Sequence, residues 1–307
     1  MSKSIAMTLL AATAAAALAG PPAHAGACNR TTEVAGYACQ NEAKDDYWTA
    51  VGRCANVANN GARSRCLADA REQLAEAREE CGEQADARDA LCAALGQAPY
   101  DPAIRRQDFL TPQQTAQRPN PYLPLVPGSE RVYRSDDEII TVAVTGETRE
   151  ILGVEVIVVR DIVTTLDGTL VEDTEDWFAQ DVAGNVWYFG EIAQNFEDGR
   201  LTDVEGSWTA GVERAKPGIV MPAAPATGLT YRQEFDLGNA EDAARVLATH
   251  ASQATPAAAC TASCLVTADF TPLEPGHLEH KYYAPGVGLI LELNPDSGER
   301  TELVSRR

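Results

Sequence analysis

Two glutamates, Glu175 and Glu191, stand where a β-hairpin would bring carboxylates face to face. The run from Glu172 to Glu191, E-D-T-E-D-W-F-A-Q-D-V-A-G-N-V-W-Y-F-G-E, folds back at Asp181-Val182-Ala183-Gly184-Asn185. That pentapeptide suits a type I turn followed by a left-handed Gly184. Counting outward sets Ala179 opposite Trp187, Trp177 opposite Phe189 and Glu175 opposite Glu191 on one face. Phe178 then faces Tyr188, and Asp176 faces Gly190, on the other. Carboxylates directly opposite repel, so a cation, a shared proton or open solvent must lie between them. The pair therefore reads as metal ligands, as the acid and base of a hydrolase if they stand about 5 to 9 Å apart across a cleft, or as a solvated sheet rim.

The same hairpin carries the largest apolar load. Trp177, Trp187 and Phe189 are expected to point inward and, with Trp208 and Tyr231, to line a cavity for a small apolar ligand. His277, Glu279 and Lys281 alternate with His280, so the two histidines do not converge on a metal or a reacting group through one strand. Acidic residues cluster at Asp136 to Glu138, Glu172 to Asp176 and Glu197 to Asp198, mostly beside turns. Oxygen-rich loops are what calcium requires, but no D-x-D-x-D-G loop with a closing glutamate occurs, and turn chemistry is the preferred reading. No G-x-S-x-G, P-loop or H-E-x-x-H motif supplies an enzyme by another route.

The elements that must position these residues begin after an export signal. Residues 1–25 have a basic start at Lys3, an apolar run and an Ala23-His24-Ala25 cleavage site, the pattern of a secretory signal peptide. Ala25-Gly26-Ala27 before Cys28 lacks the leucine usual three residues ahead of a lipidated cysteine, so an unlipidated exported protein, periplasmic or extracellular, is expected. Six cysteines at 28, 39, 54, 66, 81 and 92 are separated by 11, 15, 12, 15 and 11 residues, a palindrome centred on position 60. An antiparallel helical hairpin over residues 26–96, turning at Asn59-Asn60-Gly61, pairs Cys28 with Cys92, Cys39 with Cys81 and Cys54 with Cys66. Separations this wide without nearby histidines make poor zinc sites. Cys260 and Cys264 suit a small disulfide loop in an oxidising compartment.

Residues 97–127, rich in proline, read as a linker that ends by packing down, and residues 128–307 read as an antiparallel β domain. Ten strands are expected, near 138–145, 154–164, 169–180, 186–193, 201–208, 230–236, 264–270, 278–283, 287–292 and 301–304. Short turns between them imply a meander that curls into a half-barrel or barrel or splits into a sandwich. Residues 239–251 fit either a helix capped by Asn239-Ala240-Glu241-Asp242 or another strand. The fold class is α+β.

Several motifs carry a resemblance. The run from Cys81 to Gly96 with Tyr100-Asp101-Pro102, N-P-Y-L-P-L-V-P-G from Asn120, the Glu172 to Glu191 hairpin, P-G-I-V-M-P from Pro217, Y-R-Q-E-F from Tyr231 and H-K-Y-Y-A-P-G-V-G from His280 resemble a family of exported bacterial proteins with no assigned activity. The resemblance spans most of the chain after residue 25 and implies export, but no catalytic residue or cofactor. The strand succession also looks like the lipoprotein-carrier half-barrels that hold acyl chains, a likeness of architecture alone.

The formal charge of −20, or −21 once Lys3 leaves with the signal, argues against nucleic acid and anionic membrane surfaces as partners. No later stretch has the roughly 20 unbroken apolar residues of a membrane helix. The expected function is a non-enzymatic envelope protein holding a small apolar ligand or a partner's segment in its curved sheet. A hydrolase using Glu175 and Glu191, or a structural envelope adaptor, are the alternatives. No resident cofactor is expected unless calcium.

Overall fold

The computed structural model describes residues 26–307, so the signal-peptide reading of residues 1–25 lies outside the described residues. Two long helices open the fold, α1 (Ala27–Ala55) and α2 (Asn60–Leu95). Asn59 caps α2 by accepting a hydrogen bond from the Ala62 amide at 2.9 Å. Gly96, at φ +91°, ends it in a conformation that glycine adopts without strain. Few side chains are buried along the hairpin, chiefly Ala35, Ala43, Ala70, Leu91, Cys54, Cys81 and Cys92. Three nested disulfides, Cys28–Cys92, Cys39–Cys81 and Cys54–Cys66, hold the two helices together where packing is thin. Steps of 11 and 15 residues return to nearly the same side of each helix, which is why every pair meets.

Residues 97–127 run along the barrel wall. They include a 3-10 turn at Arg106–Asp108 and a short helix α3 (Pro112–Gln117) with a Thr111–Gln114 capping box. Fifteen strands follow: β1 (Glu130–Arg134), β2 (Glu138–Ile151), β3 (Val154–Thr165), β4 (Leu170–Gln180), β5 (Val186–Glu197), β6 (Arg200–Asp203), β7 (Trp208–Thr209), β8 (Lys216–Met221), β9 (Thr230–Arg232), β10 (Glu234–Phe235), β11 (Ala243–Thr255), β12 (Ala258–Phe270), β13 (Leu278–Ala284), β14 (Gly288–Leu293) and β15 (Arg300–Arg306). They form one antiparallel sheet in the order β10-β8-β5-β4-β3-β2-β1-β15-β14-β13-β12-β11-β9, with β6 and β7 added to β5. Because β9 and β10 are separated only by Gln233, one stretch of chain joins both ends of the sheet and nearly closes it into a barrel. A fourth disulfide joins Cys260 to Cys264 on β12.

Eight of the ten expected strands correspond to single strands of this barrel, and those expected at 201–208 and 230–236 are each broken into two short strands, β6 and β7, β9 and β10. β1 and β8 are additional, and β11 realises the strand reading of residues 239–251. Residues 243–255 form strand β11, not a helix: Glu241, read as part of a cap, is buried in an ion pair instead. Both faces of the sheet around β3 to β5 are covered. Val144, Ile157, Val159, Tyr231, Val246, Leu265 and Tyr283 meet inside the barrel. Val154, Val156, Val158, Trp177, Ala179 and Phe189 pack outside it, under Ile104 and Phe109 of the segment before α3.

Candidate functional site

The hairpin of β4 and β5 turns as its sequence requires. The Asp181 amide donates to the Asn185 carbonyl at 2.9 Å, and Gly184 has φ +100°. Phe178 faces Tyr188 and Ala179 faces Trp187. Beyond them a bulge shifts the ladder, with Gly190 at φ +124°, so that Asp176 faces Glu191 and Glu175 faces Ile192. The expected Glu175–Glu191 pair is therefore not formed. Glu175 is exposed on the outer face, 3.9 Å from Arg149, whereas Glu191 is turned inward. A metal pair or a hydrolytic acid–base pair made of these two residues has no geometric basis here.

What the bulge assembles is an acidic interior. Asp176 accepts a hydrogen bond from the Tyr188 hydroxyl at 2.6 Å, and Glu172 accepts one from Thr174 at 2.6 Å. Burial, opposed by the Tyr188 hydrogen bond, pushes the Asp176 carboxyl up to about 7. Burial and the neighbouring Asp176 charge push Glu191 up to about 8. Asp161, raised by burial and by Asp176, leaves Oδ1 without a hydrogen-bond partner. Burial likewise raises Glu234 and Asp242 beside the closure of the barrel. Burial disfavours the Lys281 ammonium, but Glu292 at 3.3 Å, Glu279 at 3.4 Å and Asp269 at 4.0 Å outweigh it and raise its pKa. Among the described residues no three His, Cys, Asp or Glu side chains converge as ligands of one metal ion. His277 contacts Glu279 at 3.6 Å, outside this interior.

The five aromatics expected to line one cavity divide between two faces. Trp177 and Phe189 are fully buried on the outer face, where Phe109 meets Phe189 and Trp187 edge-on at 5.5 and 6.1 Å. Trp208 stands edge-on to Tyr188 at 5.5 Å, and its indole N–H has no hydrogen-bond partner. The larger apolar load of their face is what points the indoles inward on the sequence alone; the outer face carries that load instead because the segment around Ile104 and Phe109 covers it. Of the five, Trp187 and Tyr231 line one cavity together.

That cavity, of about 480 Å³, lies over the seam where β8 and β9 run side by side without a shared ladder. β8 pairs with β5 and β10, and β9 pairs with β11. Gly218 on β8 permits the close approach, since a methyl group there would collide with the Gln233 and Arg232 backbone. Its floor is Trp187, Ile219, Tyr231 and Phe235; its roof is the base of the helical hairpin at Cys28, Thr31 and Leu95, with Pro99, Tyr100 and Pro102 closing one side. Arg232 is buried in the wall, its guanidinium 4.7 Å from the Phe235 ring centroid and 5.7 Å from that of Tyr100. Burial raises the Tyr100 hydroxyl to about 12, and it donates to the Pro217 carbonyl at 2.9 Å. The hairpin is held over the seam by a buried ion pair. Arg88 of α2 donates twice to Glu241 from Nε, at 3.0 and 3.2 Å, and once from Nη2 at 2.7 Å. Gln84 adds a hydrogen bond to the Leu273 carbonyl at 3.0 Å.

Arg232, Tyr100 and Phe235 did not stand out as site residues in the sequence. The available signal was the alternating Tyr231-Arg232-Gln233-Glu234-Phe235, in which a buried strand carries two charges.

No family model matches the chain, and no curated protein matches it. Among solved structures, the fold is similar to a candidate exported protein with a YmcC-like fold from Bacteroides fragilis, at 13% identity and a TM-score of 0.34, over 59% of this chain and 96% of that one. It is similar also to a candidate lipoprotein from Parabacteroides distasonis, at 12% identity and a TM-score of 0.33, over 61% of this chain and 98% of that one. The four disulfides themselves indicate a compartment outside the cytoplasm. The sulfur of Cys28, which a lipid anchor at that residue would need, is bonded to Cys92. No helix among the described residues is long and apolar enough to cross a membrane.

Proposed function

We propose that the chain is an exported, non-enzymatic binding protein of the cell envelope that holds a small apolar ligand at the seam of its barrel. The observation that carries this reading is the cavity of about 480 Å³ between the hairpin base and the β8–β9 seam, walled by Trp187, Ile219, Tyr231, Phe235, Leu95 and Pro99. Its size and its mostly apolar wall, with a few polar groups at fixed places, match what small-molecule sites offer. The helical hairpin then serves as a fixed roof, held by its disulfides and by the Arg88–Glu241 pair.

Calorimetric titration with dodecanol, an uncharged single-chain probe, tests the reading. Saturable binding is expected, with a change in Trp187 emission. Ile219→Trp, which fills the cavity, is expected to weaken it at least tenfold while the variant keeps its melting temperature. Absence of saturable binding, or binding of equal strength in a folded Ile219→Trp variant, would refute it.

A further inference from the structure

Arg232 lines the seam cavity and, together with Arg88 beneath the hairpin, makes one more buried cation than the neighbouring carboxylate can neutralise. Arg88 and Arg232 are both buried, and Glu241, the carboxylate whose charge bears on Arg232, is also buried. Glu241 is fully engaged by others: Arg88 holds both of its oxygens, and the Gly238 amide donates to Oε1 at 2.9 Å. Arg232 Nη1 has no hydrogen-bond partner, and among the described residues no carboxylate stands within ion-pairing distance of this guanidinium. Its contacts are instead the faces of Tyr100 and Phe235, which orient the planar group without satisfying its N–H donors. A guanidinium stays charged in proteins, and leaving one buried without an anion is costly.

Resting on the reading of the cavity as an apolar site, we infer that its ligand is a single-chain amphiphile with an anionic head, and that Arg232 binds that head. The tail lies along Trp187, Ile219 and Leu95. The head, a carboxylate or phosphate, takes the N–H donors of Arg232 that the protein leaves free, in the planar, two-pronged geometry for which arginine is suited. The Tyr100 and Phe235 rings flank that contact and keep water from it.

The full chain after residue 25 is titrated with dodecanoate, dodecyl phosphate and dodecanol at neutral pH, as wild type and as Arg232→Met. Wild type is expected to bind at least one anionic probe tenfold or more tightly than dodecanol, and the stronger anion identifies the head as carboxylate or phosphate. Arg232→Met is expected to lose that preference, keep dodecanol binding, and melt without ligand no lower than wild type, because the change removes an unmatched charge. Arg232→Lys, which retains the charge, should keep a reduced preference, and it serves if the methionine variant does not fold. Equal binding of all three probes by wild type, or an anion preference that survives in Arg232→Met, overturns the head-group assignment and leaves the apolar cavity standing. A lower melting point for unliganded Arg232→Met also overturns it, since the guanidinium would then have a structural role. If none of the probes binds, the cavity reading itself fails.

Discussion

Gly190 decides which carboxylates share the barrel interior. Its φ of +124° belongs to the bulge that turns Glu191 inward, and a methyl group at this position would run into the Trp208 carbonyl oxygen. Gly190→Ala is expected to lower stability by on the order of 3 kcal/mol, measured by urea unfolding, through backbone strain and the collision together. A neutral substitution would mean that the β5–β7 contact is loose. The acids it gathers give a second prediction. Asp176 and Glu191 titrate near 7 and 8 in the fold, against ordinary values of 3.8 and 4.5. The folded chain therefore holds these protons more tightly than the unfolded chain. The contribution of these two groups to stability is greatest below the ordinary carboxylate range, falls as pH rises through about 8, and levels off above. Melting temperature should drop between about pH 5 and about pH 9, and Asp176→Asn with Glu191→Gln should make that slope shallower. A melting temperature that rises over this interval would contradict the buried placement. At this scale the sequence was legible near the turn, where Asp181 and Gly184 define the geometry, and illegible past Gly190. A strand glycine marks a bulge only when its neighbours are known, and one inserted residue exchanges the faces of everything beyond it.

The helical hairpin is the element most dependent on covalent chemistry. Its helices bury little beyond alanines and cysteines, so the three bridges, at about 2 to 4 kcal/mol each, must supply most of its stability. Reduction under native conditions is expected to remove most of the far-ultraviolet helical signal while the near-ultraviolet signal of buried Trp177 and Trp208 persists. Simultaneous loss of both would mean that hairpin and barrel stand or fall together. Docking of the hairpin depends on the Arg88–Glu241 pair. Arg88→Met strands the Glu241 carboxylate and should cost about 3 to 5 kcal/mol, most of which Glu241→Gln in the same chain should restore. The palindromic cysteine spacing made this element readable in full, because separations fix which helix positions can meet. Strand β8 was not readable: Pro217-Gly218 looks like a turn, yet the proline lies at the barrel closure and the glycine is needed for close approach to Gln233. Strand β11 was equally ambiguous, since its alanines serve helix and strand alike.

At the scale of the whole molecule, the acidic balance of the chain and the cationic wall of its cavity are complementary facts. The formal charge is −20, whereas Arg232 places a buried cation against the cavity, and the proposed ligand, a small anion with an apolar tail, would answer that cation. The cavity needs parts from everywhere: the base of α1 and α2, the proline-rich segment, and strands from both ends of the sheet. No local window of sequence contains it, so the barrel could be foreseen and its seam could not. The most direct test is native mass spectrometry of protein exported to an oxidising compartment and purified without detergent. The account predicts a retained small molecule with an apolar chain on the wild type and its loss from Ile219→Trp. A wild type that carries nothing and takes up no single-chain probe, or an Ile219→Trp chain that retains the same molecule, would contradict it.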